Sequence, residues 1–468
     1  MNLRLKRGLQ FLATIFMIYF MCSCSNNDNN VKISENKDIL KEYTKFEVAI
    51  SGKVKTVEEI GNTSSYFNPD SPYGMPAKID FLVNEDGKTV DILWTEANNK
   101  RHLTRVSLET KEIIEEIAIP EIANTGRFLG IESIGVDKYI IGYSKDNAFV
   151  KSNKDINKDA EAWFTAFEKS GNILYSTRIF GGKDLKELWS KGRPSQSGSS
   201  VIKYSKKDDV IALYLSHTMK WDDNVRHQAG WMGFLNAKTG EILTKKNKKN
   251  EDEIIGNTWC YSHNFDQRCI LASNGNFYTL AHGDAFPRAL GIHSWSHTSG
   301  QKSRLNYYEI KNGKHGENET LTNTGDLVEL SDGNVAIAFS TKDGRDQRDL
   351  KVSIITGMKG EKPNTIKETW ITKNSTSYVG WGSKIATYGN DILVAWNSYN
   401  KNAKPTKGMG TSFMLLDTTG EIISTVEKLE ETILQPTQSI KTSKDGRTLI
   451  FVSATTEGKL QINRIGVR

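Results

Sequence analysis

The chain has 468 residues, 37% of them hydrophobic and 25% charged, with 38 Gly but only 9 Pro. That composition is too polar for a multi-span membrane protein and too ordered for a disordered chain, and the length is ample for a buried core. The formal charge is +6, part of it carried by Arg4, Lys6 and Arg7 at the extreme N-terminus, so the rest is close to neutral and nucleic acid is not an expected partner.

Arg4, Lys6 and Arg7 open the chain without an acid, and Leu9–Met21 is then almost wholly apolar. As a helix rising ~1.5 Å per residue, that run falls short of a ~30 Å hydrocarbon core, and it has the form of the apolar stretch of a secretory signal. Met21-Cys22-Ser23-Cys24-Ser25 follows it. This segment resembles the bacterial lipoprotein signal, with Ser23 as the small residue before the modified Cys, and it departs from that signal in Met21 and Cys22. The resemblance implies a signal peptide over 1–23, a lipid on Cys24, insertion in a bilayer, and residence in the bacterial envelope on either side of the outer membrane. Lipidation at Cys22 and a soluble secreted product are the competing readings. Residues 24–42, rich in Asn and Ser, then read as the lipidated Cys and a flexible tether, and 43–468 as one domain. Only Cys260 and Cys269 remain beyond that signal. Outside the cytoplasm such a pair can oxidise to a disulfide.

Helical periodicity is scarce thereafter, and short β-branched and aromatic runs bounded by Gly, Asn or Asp take its place. A tight turn followed by such a run recurs seven times. Asn84–Lys88 leads into Val90–Trp94, Val136–Lys138 into Tyr139–Tyr143, and Lys207–Asp209 into Val210–Leu215. Ser273–Asn276 leads into Phe277–Ala281, Ser331–Asn334 into Val335–Phe339, Tyr388–Asp391 into Ile392–Trp396, and Ser443–Arg447 into Thr448–Val452. The turns fall near 87, 138, 209, 275, 333, 390 and 446, spacings that suit four short strands and their loops. A second hairpin recurs at 166–174, 234–242 and 415–423. The expected fold is therefore all-β, a seven-bladed β-propeller of four-stranded antiparallel blades, with a pair of β-sandwiches as the competing architecture. The last repeat stops after Leu460–Val467, one strand short. Lys45–Ile50, ahead of the first repeat, is expected to supply that strand and close the ring. Ser443–Phe451 resembles the hairpin motif of TolB-like propellers, with fainter echoes at 332–339 and 86–94 and with Lys444 where that family prefers Pro. The resemblance implies the fold and not an activity.

With blade strands lettered A to D from the axis outwards, A–B turns lie on one face and B–C and D–A loops on the other. His217, His227, His263, His282, His293 and His297, six of the eight histidines, crowd between 217 and 297, together with Trp221, Trp231, Trp259 and Trp295. The repeat alignment puts these in the B–C loops of the third and fourth repeats and the D–A loop between them. There a polar, aromatic-walled pocket is expected to bind a glycan or an envelope protein. Trp221, Asp222, Asp223, Arg226, Trp259, His282, Asp284, His293 and Trp295 are the ligand-binding candidates. The competing reading is that the His and Trp side chains are buried and simply hold long loops together. An enzyme reading is eliminative cleavage of a uronic-acid polysaccharide, with Arg268 or Arg288 neutralising the carboxylate and His217, His227, His263 or Tyr261 as base and acid. In plan this is similar to ulvan lyases that are secreted propellers with His, Tyr and Arg at the site. A scaffold role in an envelope assembly is the third class. No cofactor is required by these readings. Cys260, His263 and Cys269, with His282, form a loose zinc set that competes with a Cys260–Cys269 disulfide, and Asn153–Glu161 is a weak calcium-like run read foremost as a solvated loop. The Lys245–Lys249 charge run reads as solvated surface.

Overall fold

The structure is a computed structural model that describes residues 38–54, 79–96, 100–124, 126–145, 161–181, 195–220, 226–260, 267–282, 288–309, 322–360, 362–373, 378–400, 407–435 and 437–467. Seven four-stranded antiparallel sheets form the blades. From strand A to strand D the first blade is Ile79–Val83, Thr89–Thr95, Arg101–Ser107 and Ile113–Ile117, and the second is Arg127–Gly135, Lys138–Lys145, Glu161–Glu168 and Ile173–Phe180. The third is Ser195–Ser205, Val210–Lys220, Arg226–Asn236 and Asn257–Cys260, and the fourth is Gln267–Leu271, Phe277–His282, Arg288–Ser296 and Gly300–Glu309. The fifth is Asn323–Glu329, Val335–Thr341, Asp349–Thr356 and Asn364–Trp370, and the sixth is Tyr378–Tyr388, Asp391–Asn400, Lys407–Leu416 and Glu427–Leu429. The seventh combines Lys441–Thr442, Thr448–Ala454 and Leu460–Gly466 with the N-terminal strand Tyr43–Val48. Tyr43 pairs with Ile465 and Val48 with Leu460, so the strand expected over Lys45–Ile50 closes the ring two residues earlier in the chain.

The A–B turns need one residue of positive φ, which costs a Cβ-bearing residue energy and glycine almost none. Gly87, Gly275, Gly333, Gly389 and Gly446 meet that need in five blades. In the second and third blades Asp137 and Asp209 take it themselves, at φ 53° and 55°. Aspartate tolerates the left-handed region better than most residues.

Burial follows position in the blade. Val335–Thr341, a B strand, is buried at every residue, because the blade packs on both its faces, whereas the D strand Asn364–Trp370 alternates with solvent. Apolar clusters fill the spaces between successive blades: Leu93 with Tyr143, Phe164 with Leu213, Phe234 with Phe277, Leu290 with Ile337, Val352 with Val394, Leu393 with Phe451, and Ile92 with Ile462. That is one cluster for each of the seven interfaces, the last joining the seventh blade to the first. A strands of neighbouring blades approach one another around a common axis. The recurring 234–242 and 415–423 segments are C–D hairpins, as is 166–174. In the third blade an extra hairpin, Thr244–Lys246 with Asp252–Ile254, precedes strand D. The lysine run lies largely on it and is solvated, Lys246 pairing with Asp252 at 3.0 Å.

Candidate functional site in the axial cavity

The third-blade strands run further than their turn signals indicate, and this re-places the histidines. His217 lies inside strand B, opposite Gln196 and Ala229, rather than in a loop. Its ring is fully buried, 5.2 Å from that of Phe180, and burial pushes its pKa down to about 3, so the imidazole is neutral. His293 and Trp295 belong to strand C of the fourth blade, both buried, with their rings edge-on at 5.7 Å. Trp295 Nε1 donates to Thr279 Oγ1 at 2.9 Å. Arg268, on the innermost strand of that blade, is buried, and its guanidinium donates to the carbonyls of Gly325 and Gln267, both at 2.8 Å. His217, His293 and Trp295 are built into blade packing, whereas buried Arg268 also borders a small space at the axis. His297 follows strand C in a C–D turn, on the face opposite the B–C loops.

Arg226, His227, Trp259, Cys260, His282 and Arg288 stand on strands, at the ends that share the B–C and D–A face. The pairings Lys220 with Arg226, Met219 with His227, Gly230 with Trp259 and His282 with Leu290 fix that placement. Trp221, Asp222, Asp223, Tyr261, His263 and Asp284 lie outside the described residues, as do the calcium-like residues 153–160 and the whole signal segment.

Cys269 carries a free thiol, so the Cys260–Cys269 disulfide is not formed. Cys260 is on the outermost strand of the third blade and Cys269 on the innermost strand of the fourth. Burial among Phe234, Phe277 and Trp295 pushes the thiol up to about 12, away from the thiolate that zinc takes. Among the described residues no three His, Cys, Asp or Glu side chains converge on a metal-sized space.

Among the described residues a cavity lies on the other face. A space of ≈ 800 Å³ opens among the A–B turns of the first, second, third, fourth and seventh blades and continues along the axis into a narrower one of ≈ 50 Å³. Lys203 and Lys441 stand in the walls of both. Lys203 Nζ is 3.6 Å from Glu132 Oε2 and makes no hydrogen bond to a described residue. Lys441 Nζ donates to the Phe81 carbonyl and lies 3.7 Å from Asp80 Oδ1. Burial alone would lower the Lys203 pKa, but Glu132 and Asp80 outweigh it and hold the ammonium above its ordinary range. Burial lowers that of Lys441, with Lys203 adding like-charge repulsion. The turn-face wall between the first two blades is a closed ionic network. Arg105 grips both oxygens of buried Asp91, at 2.7 and 2.9 Å, and Asp137 at 2.9 Å, and Tyr139 donates to Asp91 at 2.6 Å. Burial would raise the Asp137 carboxyl, yet Arg105 and Lys169 bring it below the usual range.

A signal for this axis is present in the sequence. Each A strand carries a charged residue five to seven positions before its positive-φ turn residue: Asp80, Glu132, Lys203, Arg268, Asp326, Lys384 and Lys441. Asp80, Glu132, Lys203 and Lys441 are partly exposed there, whereas Arg268, Asp326 and Lys384 are buried.

No protein family matches the sequence. No curated protein matches it either. Among solved structures, a protein of unknown function from Dyadobacter fermentans is similar with a TM-score of 0.40 and 11% identity, over 76% of this chain and 98% of its own. A member of the DUF4221 family from Bacteroides vulgatus gives 0.40 and 9%, over 91% and 99%. An ulvan lyase of a polysaccharide lyase family, bound to a GlcA(1-4)Rha3S unit, gives 0.38 and 9%, over 84% and 79%.

Proposed function

We propose that this chain is a lipid-anchored protein of a bacterial envelope that binds a glycan in the axial cavity of its propeller. One observation carries the binding reading: a cavity of ≈ 800 Å³ faces the solvent end of the axis and holds, in Lys203, an ammonium with unused donors. Ligand sites are typically concave spaces of ~300–1,000 Å³ whose walls mix apolar surface with a few polar groups. Leu82, Val136 and Tyr204 supply the first here, and Asn84, Glu132 and Thr442 the second. That mixture suits the apolar ring faces and the hydroxyls of a sugar. The Met21–Cys24 segment supports the anchor. The lyase reading loses two of its described candidates, since His217 is a walled-off neutral imidazole and Arg268 is committed to backbone carbonyls.

The test is a binding titration of the full chain against a panel of neutral and acidic oligosaccharides, repeated with Thr442→Trp, which plugs the cavity mouth. Loss of affinity of about tenfold or more in the plugged variant is expected. Undiminished binding there, abolished instead by substitutions within 221–225 or 283–287, would move the site to the opposite face. Labelled fatty acid should be incorporated by the wild type and not by Cys24→Ser; no incorporation by the wild type would refute the anchor, and retained incorporation in the variant would move the lipid to Cys22.

A further inference from the structure

We infer that the axial cavity takes its ligand end-on, with one terminal oxyanion, a carboxylate or a sulfate, seated between Lys203 and Lys441 where the channel narrows. The inference rests on the axial cavity being the binding site. Its first support is width. The ≈ 800 Å³ space gives way to one of ≈ 50 Å³, and the two lysines border both, so they stand at the throat. Fifty cubic ångströms hold a few waters or a single small oxyanion. A sugar ring with its hydroxyls does not enter, so the end of a chain reaches the throat and its middle does not.

The second support is charge. Lys203, Arg268 and Lys441 border the narrow space with Asp80, and Glu132 lies 3.6 Å from Lys203, so three cations face two acids and keep an excess of one. Arg268 is held by two carbonyls and Lys441 by the Phe81 carbonyl, which leaves Lys203 as the donor with its hydrogens to spare. The repulsion between the two ammonium groups is relieved when an anion sits between them. The third support is the hydroxyl pair Thr437 and Ser439, which borders the same space and can donate to a second oxygen of the group. A charge-assisted bond from Lys203, made in an enclosed space, then distinguishes an acidic end from a neutral one.

The experiment is calorimetric titration of the full chain with four tetrasaccharides of one uronate backbone. The first ends in a uronate, the second ends in a sulfated sugar, the third has its terminal uronate reduced to the neutral sugar while the internal ones are kept, and the fourth is wholly neutral. The first or the second should bind about tenfold or more tighter than the third, and whichever does identifies the oxyanion. Lys203→Met and Lys441→Met should each erase that preference, Lys203→Arg should keep part of it, and Lys206→Met, outside the throat, should keep all of it. Equal affinity for the first three ligands in the wild type overturns end-on recognition, and leaves the cavity reading standing if Thr442→Trp still abolishes binding. If Thr442→Trp changes nothing, the cavity reading itself fails. Should a lysine variant not fold, the comparison of ligands on the wild type decides alone.

Discussion

Seven residues of positive φ set the inner hairpins, and their cost depends on what surrounds them. A Cβ built on Gly446, at φ 73°, meets nothing within 4 Å. Gly446→Ala should therefore cost only the backbone penalty, about 1–2 kcal/mol, read as a lowered denaturant midpoint, and no loss would contradict the turn assignment. His217 gives a second residue-scale prediction. Its pKa falls from an ordinary 6.5 to about 3 on folding, so the unfolded chain binds the proton more readily. Stability is then intact above pH 6.5 and is lost as the pH drops towards 3, at up to about 1.4 kcal/mol per unit. His217→Phe should flatten that acid limb in a pH series of melting curves, and an unchanged limb would place the imidazole elsewhere. The turn residues were legible in the sequence because glycine and aspartate mark φ locally. The fate of His217, His293 and Trp295 was not, because it depends on how far each ladder continues past the last clear signal.

Among the elements, the D strands meet solvent while the B and C strands are largely buried, with a few paired charges such as Asp91 and Arg105 among their apolar residues. Every A strand carries one charged residue at a fixed place before its turn. The period of that charge was readable at fixed distance from each turn. Its meaning was not, because loops rich in His and Trp draw attention by composition whereas one Lys or Asp per repeat looks like ordinary surface. The N-terminal strand was legible for the opposite reason: a repeat short of one strand and a strand without a repeat imply each other. Val48 sits 1% exposed between the seventh and first blades and pairs with Leu460. Val48→Asp would bury an unpaired carboxyl there and should cost about 3 kcal/mol or more, opening the ring to proteolysis within the seventh blade. Unaltered protease resistance would show that closure does not depend on that strand.

At the scale of the whole molecule, seven blades set the radius of the axis, and that radius makes the cavity. Repeat counting gives the number of blades, and the fold class with it, but not the end at which the inner strands diverge or how their side chains fill the middle. The expected face and the observed cavity therefore lie at opposite ends of the propeller axis. The functional account turns on which end a ligand enters, and differential amine labelling with mass-spectrometric readout tests this most directly. Saturation with an acidic oligosaccharide should protect Lys203 and Lys441 from modification and leave Lys373, exposed in the D–A loop after the fifth blade, as reactive as before. Protection of Lys373 with Lys203 and Lys441 unchanged would contradict the account.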